Sequence, residues 1–370
     1  MKRLIIILLE LTFIAGAFAA DVTRYVDTDT PAAKGDQDGT TWDLAYDSGA
    51  AWDANEATDI TGVGNHYVYF RASSGTADTS QMFIDSDWTT DATHGIYLLM
   101  DGENGSDQHS GVWDANLYRL EVSNAYPLYI RDDHVTVRGL QIRTPAIDGG
   151  DHVLHCNYQS ADATIYIEKC IIRGANDVDT AQNGINTADA DGKVYISNNI
   201  IYDFDGSPQS RGICADGDEV FIHNNTIHRC FVGISDGSPS DRGTVVKNNI
   251  CIDAAYSCYY TGGSWDANSC NNLSDDTTAP GDASVHSVEP TFVDKANYNF
   301  HLASNDTNAK DAGADLDPDG SGFYNVEVDI DGDDRDTVGG GTWDIGADEY
   351  DQSGSTPISA IFNNYRRRRQ

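Results

Sequence analysis

The chain has 370 residues, with 23 Lys and Arg against 59 Asp and Glu and a formal net charge of −36. A surface this acidic repels nucleic acid and anionic lipid, which excludes both as partners; it suits salt-adapted solubility, divalent-cation binding or the steering of cationic ligands. Thirty-five glycines interrupt thinly spread aliphatic residues, a composition for a narrow apolar column and not for a thick globular core.

Residues 1–19 read as a secretory signal: Lys2 and Arg3 form its positive end, Leu4–Ala17 its apolar run, and Ala17-Phe18-Ala19 a small-x-small cleavage pattern. Export to the extracellular space or cell surface is therefore expected. No later stretch is long and apolar enough to span a bilayer. Residues 20–62 are predicted to form an N-terminal cap, with a short helix around Trp42, Tyr46, Ala50 and Trp52 that shields the first coil.

From 63 to 288 the pattern is that of a solenoid. Val135–Ile142, Ile165–Ile172, Val194–Ile201, Val220–Ile227 and Thr244–Cys251 repeat one motif, stepping by 30, 29, 26 and 24 residues between Leu140, Cys170, Asn199, Asn225 and Asn249. Each copy opens with the apolar-polar alternation of a β-strand. One strong strand per unit at this period, with glycine turns and no helical pattern, makes a coil that buries its apolar side only by stacking. Gly184-Ile185, Gly212-Ile213 and Gly233-Ile234 mark a second strand per coil, the glycines being expected to turn the chain with φ > 0. A third strand follows each Asn pair. The prediction is an all-β fold, a right-handed single-stranded parallel β-helix with three strands per turn. Asn199, Asn225 and Asn249 are predicted to stack as an internal ladder, because Asn tolerates a left-handed corner and its amide both donates and accepts.

The seven cysteines all fall in the repeats and their exit, and Cys251 takes a position held elsewhere by Ile, which predicts a buried apolar role. Their odd number leaves at least one thiol unpaired even where export permits disulfides. Residues 289–350 read as a C-terminal closing segment, and 351–370 as a basic disordered tail ending in Arg366–Arg369, a processing address or a contact for self-association with an acidic neighbour.

Four passages carry a family resemblance. Asp38–Tyr46 (DGTTWDLAY), the Val-x-Ile-x-Asn-Asn-x-Ile coils, Glu289–Asp294 with Asn299–Leu302 and Asp311–Gly313, and Asp329–Arg335 with Asp344–Tyr350 resemble secreted right-handed parallel β-helix proteins of the pectate-lyase-like superfamily, and within it the bacterial choice-of-anchor Q group. The resemblance implies fold and secretion, and members with and without enzymatic activity share these passages.

Lyases on this fold need carboxylates holding Ca²⁺ and an Arg or Lys base; hydrolases need paired carboxylates at fixed separation. The hydrolase signatures Asn-Thr-Asp, Gly-His-Gly and Arg-Ile-Lys and the lyase signature Trp-Ile-Asp-His do not occur, which turns the reading toward binding without turnover. The catalytic candidates that remain lie in a loop written twice, with Asp205 and Arg211 in one copy and Asp236, Asp241 and Arg242 in the other. Tyr256, Tyr259, Tyr260 and Trp265 are candidates for a sugar platform. Asp315, Asp317 and Asp319 repeat the start of a calcium loop with Glu327 near its end, and Asp329, Asp331 and Asp333 echo that spacing. The expected function is a secreted or cell-surface protein directed at extracellular polysaccharide, binding it with Ca²⁺ as the one expected cofactor. A polysaccharide lyase or glycoside hydrolase is the first alternative, and a structural adhesion or assembly subunit the second.

Overall fold

Because the apolar residues of each repeat return at a fixed step, the strands they form stack in register, and the computed structural model is a three-sided parallel β-helix. It describes residues 20–30, 33, 35–100, 108–146, 150, 152–157, 160–175, 180–187, 191–237, 243–316, 326–338 and 340–351. The predicted signal, the Arg tail, Asp317, Asp319, Asp241 and Arg242 lie outside these residues.

The first sheet has eight parallel strands from Val22–Asp27 to Val245–Lys247; the second has seven from Arg119–Glu121 to Leu273–Ser274; the third has seven from Met82–Ile84 to Ser257–Thr261. One full turn runs through Asn183–Asn186 in the third sheet, Lys193–Ser197 in the first and Ile200–Phe204 in the second, and the next begins at Arg211–Cys214. Register holds from coil to coil. Ile142, Ile172, Ile201, Ile227 and Cys251 are successive Cα partners, as are Leu154, Ile185, Ile213, Ile234 and Tyr259. These columns are buried and make the core, each large aliphatic side chain contributing about 1.5–3 kcal/mol by leaving water. Cys251 stands in its column as an apolar residue.

The corner between the first and second sheets is set by the Asn pairs. Asn198, Asn224, Asn248 and Asn271 take left-handed backbone angles, φ 52–56°, and the residue after each turns its amide inward. Backbone N–H groups of Cys170, Asn199, Asn225 and Asn249 donate to Oδ1 of Asn199, Asn225, Asn249 and Asn272, at 2.8, 3.0, 3.0 and 3.1 Å. The Nδ2 groups of Asn199, Asn225, Asn249 and Asn272 donate to the carbonyls of Ile167, Ile196, Ile222 and Val246. Each side chain thus satisfies buried backbone groups that the bend takes out of the sheets.

Gly184, Gly212 and Gly233 serve a different purpose from the one expected of them. Their backbones do not lie in the left-handed region; a Cβ on each would instead sit 2.5, 2.7 and 2.5 Å from the carbonyl oxygens of Gly212, Gly233 and Cys258 on the next coil. They are glycines because the coils approach too closely there for a side chain.

The solenoid begins inside the segment expected to be cap, since Val22–Asp27 pairs with His66–Arg71 as the first rung. The helix is Gly49–Glu56, and Ser48 Oγ accepts the Ala51 N–H at its N-terminus. Trp52 on this helix is fully buried against His66 and Trp88, with ring centroids 5.7 and 5.3 Å away, which closes the open end of the core.

The closing segment lies along the flank of the column. Phe300, Ile330 and Ala347 cover Ile171, Ile200 and Tyr202, while Leu302, Ala309 and Ile345 cover Ile250, Ile252 and Leu273. It therefore buries the outer face of the second sheet across successive coils. Its own polar backbone is held by the outer asparagines: Nδ2 of Asn198, Asn224, Asn248 and Asn271 donates to the carbonyls of Val328, Val326, Ala314 and Ala312.

Candidate functional site

With the second sheet covered, the outer face of the third sheet carries the candidate site. Unbroken register puts Phe83, Tyr129, His155, Asn186, Cys214, Ser235 and Tyr260 in one outward row along the column. Its first half is aromatic: Phe83 and Tyr129 lie 4.7 Å apart, Tyr129 and His155 4.8 Å, and Tyr126 and His152 pack beside them. Asn186 Nδ2 meets His155 Nδ1 at 3.2 Å and joins the aromatic half to a polar one.

The polar half is a groove of about 420 Å³ lined by Asn183, Asn186, Arg211, Cys214, Asp216 and Tyr260, with Gln209 and Ser235 among the remaining lining residues. Arg211 opens the strand Arg211–Cys214, and a guanidinium N–H turns back to the Gln209 carbonyl. Asp216 is fixed at the far rim, its Oδ1 accepting the Gly237 N–H at 2.8 Å and its Oδ2 the Cys214 thiol at 3.3 Å. Burial first and the Asp216 charge next push the Cys214 thiol up to about 12, so it is a neutral donor. Burial, His155 and Arg211 together hold His152 down to about 3, a neutral ring at the groove's aromatic end. The site offers one cation, one carboxylate, amides and exposed aromatic rims, which suits hydroxyl-rich ligands with a negative group near Arg211.

The duplicated loop is not one site. Asp205 lies at the corner after the second sheet and pairs with Arg229, Nη2 to Oδ2 3.5 Å, with its partner Asp203 3.2 Å from the same guanidinium. Asp236 ends a third-sheet strand and is buried, beside Thr261 in register. The two copies fall at different corners of their coils, so the structure joins neither Asp205 nor Asp236 to Arg211. Asp216, which was not among the candidates, is the carboxylate that shares the groove.

The aromatic platform also divides. Neighbours on a strand face opposite ways, so Tyr260 points out, 42% exposed, while Tyr259 points in, 3% exposed, its hydroxyl donating to the Asn249 carbonyl at 2.8 Å. Trp265 packs edge-on against Tyr259 and belongs to the core side. Tyr256, 64% exposed, stacks on Phe231 and stands 6.2 Å from Tyr260. Tyr256 and Tyr260 are the two that a sugar face could reach.

Of the predicted calcium loop, Asp315 is exposed and Glu327 half-buried, its carbonyl accepting the Arg335 N–H. Among the described residues, groups of metal-ligand side chains gather elsewhere, at His301, Asp331 and Asp348 and at Asp329, Asp331 and Asp333. Sequence spacing pointed to the last three, and no sequence signal joined His301 or Asp348 to them.

Residues 111–295 match the family model described as the right handed beta helix region, and the chain belongs to that family. Among solved structures it is similar to the crystal structure of pectate lyase Pel9A, at 12% identity over 90% of this chain and 97% of that one, with a TM-score of 0.33. No curated protein matches the chain. Among the described residues no helix is long and apolar enough to cross a membrane, which says nothing of β-barrels.

Proposed function

We propose that this protein binds extracellular polysaccharide along the outer face of its third sheet without cleaving it. The observation that carries the reading is the groove in which Arg211, Asn183, Asn186, Asp216 and Tyr260 converge from successive coils. Stacked coils repeat about every 4.8 Å, so a chain of sugars laid along the axis would pass from the rings of Tyr129 and His155 to the polar groups around Arg211. A uronate is the favoured unit at Arg211, whose guanidinium takes a carboxylate by charge-assisted hydrogen bonding, and Ca²⁺ is the expected means of offsetting the repulsion between a polyuronate and an acidic protein. The passages resembling the choice-of-anchor Q group, and the signal expected at residues 1–19, support a place outside the cell, with calcium as a further expected requirement.

The second reading is a lyase. Arg211 and Asp216 share one groove. β-Elimination from a uronate needs a carboxylate to hold the Ca²⁺ that acidifies the Cα proton, and an Arg or Lys that gives up its own proton so as to take that one. One experiment addresses both. The protein is titrated with polygalacturonate and with neutral glucans, with and without Ca²⁺, while unsaturated products and reducing ends are followed. Saturable binding without product, weakened tenfold or more by Arg211→Ala and by Tyr260→Ala, supports the proposal. Product formation abolished by Arg211→Ala supports the lyase, and no binding to any glycan overturns both.

A further inference from the structure

Three stretches of the C-terminal half meet at one point on the flank: the strand Asn299–Leu302, the turn Asp329–Asp333 and the run Asp344–Glu349. Ligand atoms of His301, Asp331 and Asp348 lie within 4.8 Å of one another, and those of Asp329, Asp331 and Asp333 form a second such group sharing Asp331. Acidic residues in company are not in themselves a site. Two further observations point to a ligand.

The first is the orientation of the His301 ring. The His301 backbone N–H donates to Asn299 Oδ1 at 3.1 Å, which fixes that atom as the oxygen. His301 Nδ1 lies 2.6 Å from the same oxygen and must therefore carry the hydrogen. In the neutral ring Nε2 then presents a lone pair, and it faces Asp331 Oδ2 at 3.2 Å and Asp348 Oδ1 at 3.8 Å. In that state a lone pair meets carboxylates with nothing to donate, so the ring must either take up a second proton or share a cation with them. An imidazole whose Nδ1–H is held by an oxygen so that Nε2 points at carboxylates is arranged as metal-ligating histidines are.

The second is Asp331 itself. Its side chain is only 10% exposed, and its Oδ1 is shut off from solvent with no hydrogen-bond donor in reach. Burial raises the Asp329, Asp333 and Asp348 carboxyls, so a proton held among them is the competing way to satisfy that oxygen, though oxygens of Asp329 and Asp348 are already engaged. Asp329 spends both oxygens on the N–H groups of Gly332, Asp333 and Glu349, and Asp348 Oδ2 accepts from Leu302 N. Buried acceptors that face one another are costly unless a metal ion or a proton lies between them.

We infer that His301 Nε2, Asp331 and Asp348 bind a divalent transition-metal cation, Zn²⁺ being the simplest fit, with Asp329 and Asp333 completing its acidic surroundings. Ligand bonds of about 2.1 Å in a tetrahedron set neighbouring ligand atoms about 3.4 Å apart, and the two distances from Nε2, 3.2 and 3.8 Å, bracket that value. The mixed nitrogen and oxygen set distinguishes the site from an all-oxygen calcium loop. Bound there, the ion ties the end of the closing segment to the strand that covers the second sheet. The alternative is an ion pair, since Asp331 and Asp348 raise the His301 pKa to about 9 against the opposing effect of burial.

The full chain, stripped with chelator and dialysed separately against Zn²⁺, Mn²⁺ and Ca²⁺, distinguishes these. The expected result is one equivalent of Zn²⁺ or Mn²⁺ per chain by elemental analysis, with a higher unfolding temperature. Affinity should fall at least tenfold in His301→Gln and in Asp331→Asn, each checked for native circular dichroism. Should either variant fail to fold, Co²⁺ absorption in the wild-type chain, with nitrogen and oxygen ligation, serves as the second readout. Binding of Ca²⁺ alone, no stoichiometric metal, metal retained equally by both variants, or a His301 ring protonated on both nitrogens in metal-loaded protein would overturn the inference.

Discussion

Asn198 and Asn199 are consecutive residues whose side chains hold two different structures together. Asn199 Nδ2 reaches inward to the Ile167 carbonyl at 2.9 Å, and Asn198 Nδ2 reaches outward to the Val328 carbonyl at 3.0 Å. One binds coil to coil, and the other binds the closing segment to the column. The left-handed backbone at Asn198 makes this possible by turning successive side chains to opposite sides of the corner.

Asn225→Ala should therefore cost far more than an average substitution. Asn225 Oδ1 accepts from the Asn199 backbone and amide, and its Nδ2 donates to the Ile196 and His223 carbonyls, all in the buried interior. Losing these partners strands buried backbone groups at about 1–3 kcal/mol each. A drop of roughly 3 kcal/mol or more in denaturant unfolding is expected, and a loss under 1 kcal/mol would mean that the ladder is ornamental.

Asn224→Gly separates the outer role from the inner one. Glycine keeps the φ of 54° without strain but lacks the amide that donates to Val326 at 3.3 Å. Global stability should change little, while limited proteolysis of residues 326–350 becomes faster. Equal protease resistance in both proteins would show that Asn224 does not hold the segment.

The difference between these two roles also marks what the sequence makes legible. The three-strand coil is written in every repeat and the inner ladder in each from Asn199 onward, so Ile142, Ile172, Ile201 and Ile227 alone imply stacking. The course of the closing segment appears once, in contacts such as Phe300 on Ile200, and leaves no period to read. Tyr259 and Tyr260 show a second limit. Facing is a matter of parity, and moving a strand boundary by one residue exchanges the buried ring for the exposed one. Asp205 and Asp236 show a third, since identical Asp-Gly-Ser-Pro turns recur wherever a corner needs one, without forming one site.

Gly212→Ala should destabilise without altering the groove side chains. The added Cβ would lie 2.7 Å from the Gly233 carbonyl and 2.9 Å from Ile227 Cγ2, contacts a packed column relieves only by spreading its coils. An overpacking loss of about 1–3 kcal/mol is expected, read as a lower denaturant midpoint with an unchanged slope. A neutral or stabilising effect would show that the coils can separate freely there.

Arg335 is fully buried with its guanidinium 3.1 Å from Glu349, which is equally buried, and it also donates to Asn198 Oδ1 and the Gly346 and Ala347 carbonyls. Burial already raises the Glu349 carboxyl to about 8 against the pull of Arg335. Arg335→Met should therefore leave it either charged without a partner or forced to take up a proton, at up to about 3–5 kcal/mol, the loss growing as pH rises. The double variant Arg335→Met with Glu349→Gln should recover part of that loss. A single variant as stable as wild type, by thermal unfolding, would remove this pair from the forces closing the flank.

His66 makes the cap sensitive to acid. Its Nε2 accepts the Trp52 indole N–H at 3.2 Å, and burial between Trp52 and Trp88 lowers its pKa to about 4 from an ordinary 6.5. Between those values the unfolded chain binds a proton that the folded chain refuses, so this contribution is whole above pH 6.5 and declines as pH falls toward 4, by up to about 1.4 kcal/mol per pH unit. Asp53, which accepts the Trp88 indole N–H, acts in the opposite sense: burial raises it to about 6, so it favours the folded state at low pH and loses that contribution as pH rises through 6. The measurement is accordingly a difference. Denaturant unfolding of wild type and His66→Gln, followed by tryptophan fluorescence from pH 4 to 7, should show the wild type losing stability more steeply below pH 6.5. Parallel curves would mean that His66 is protonated in the folded cap.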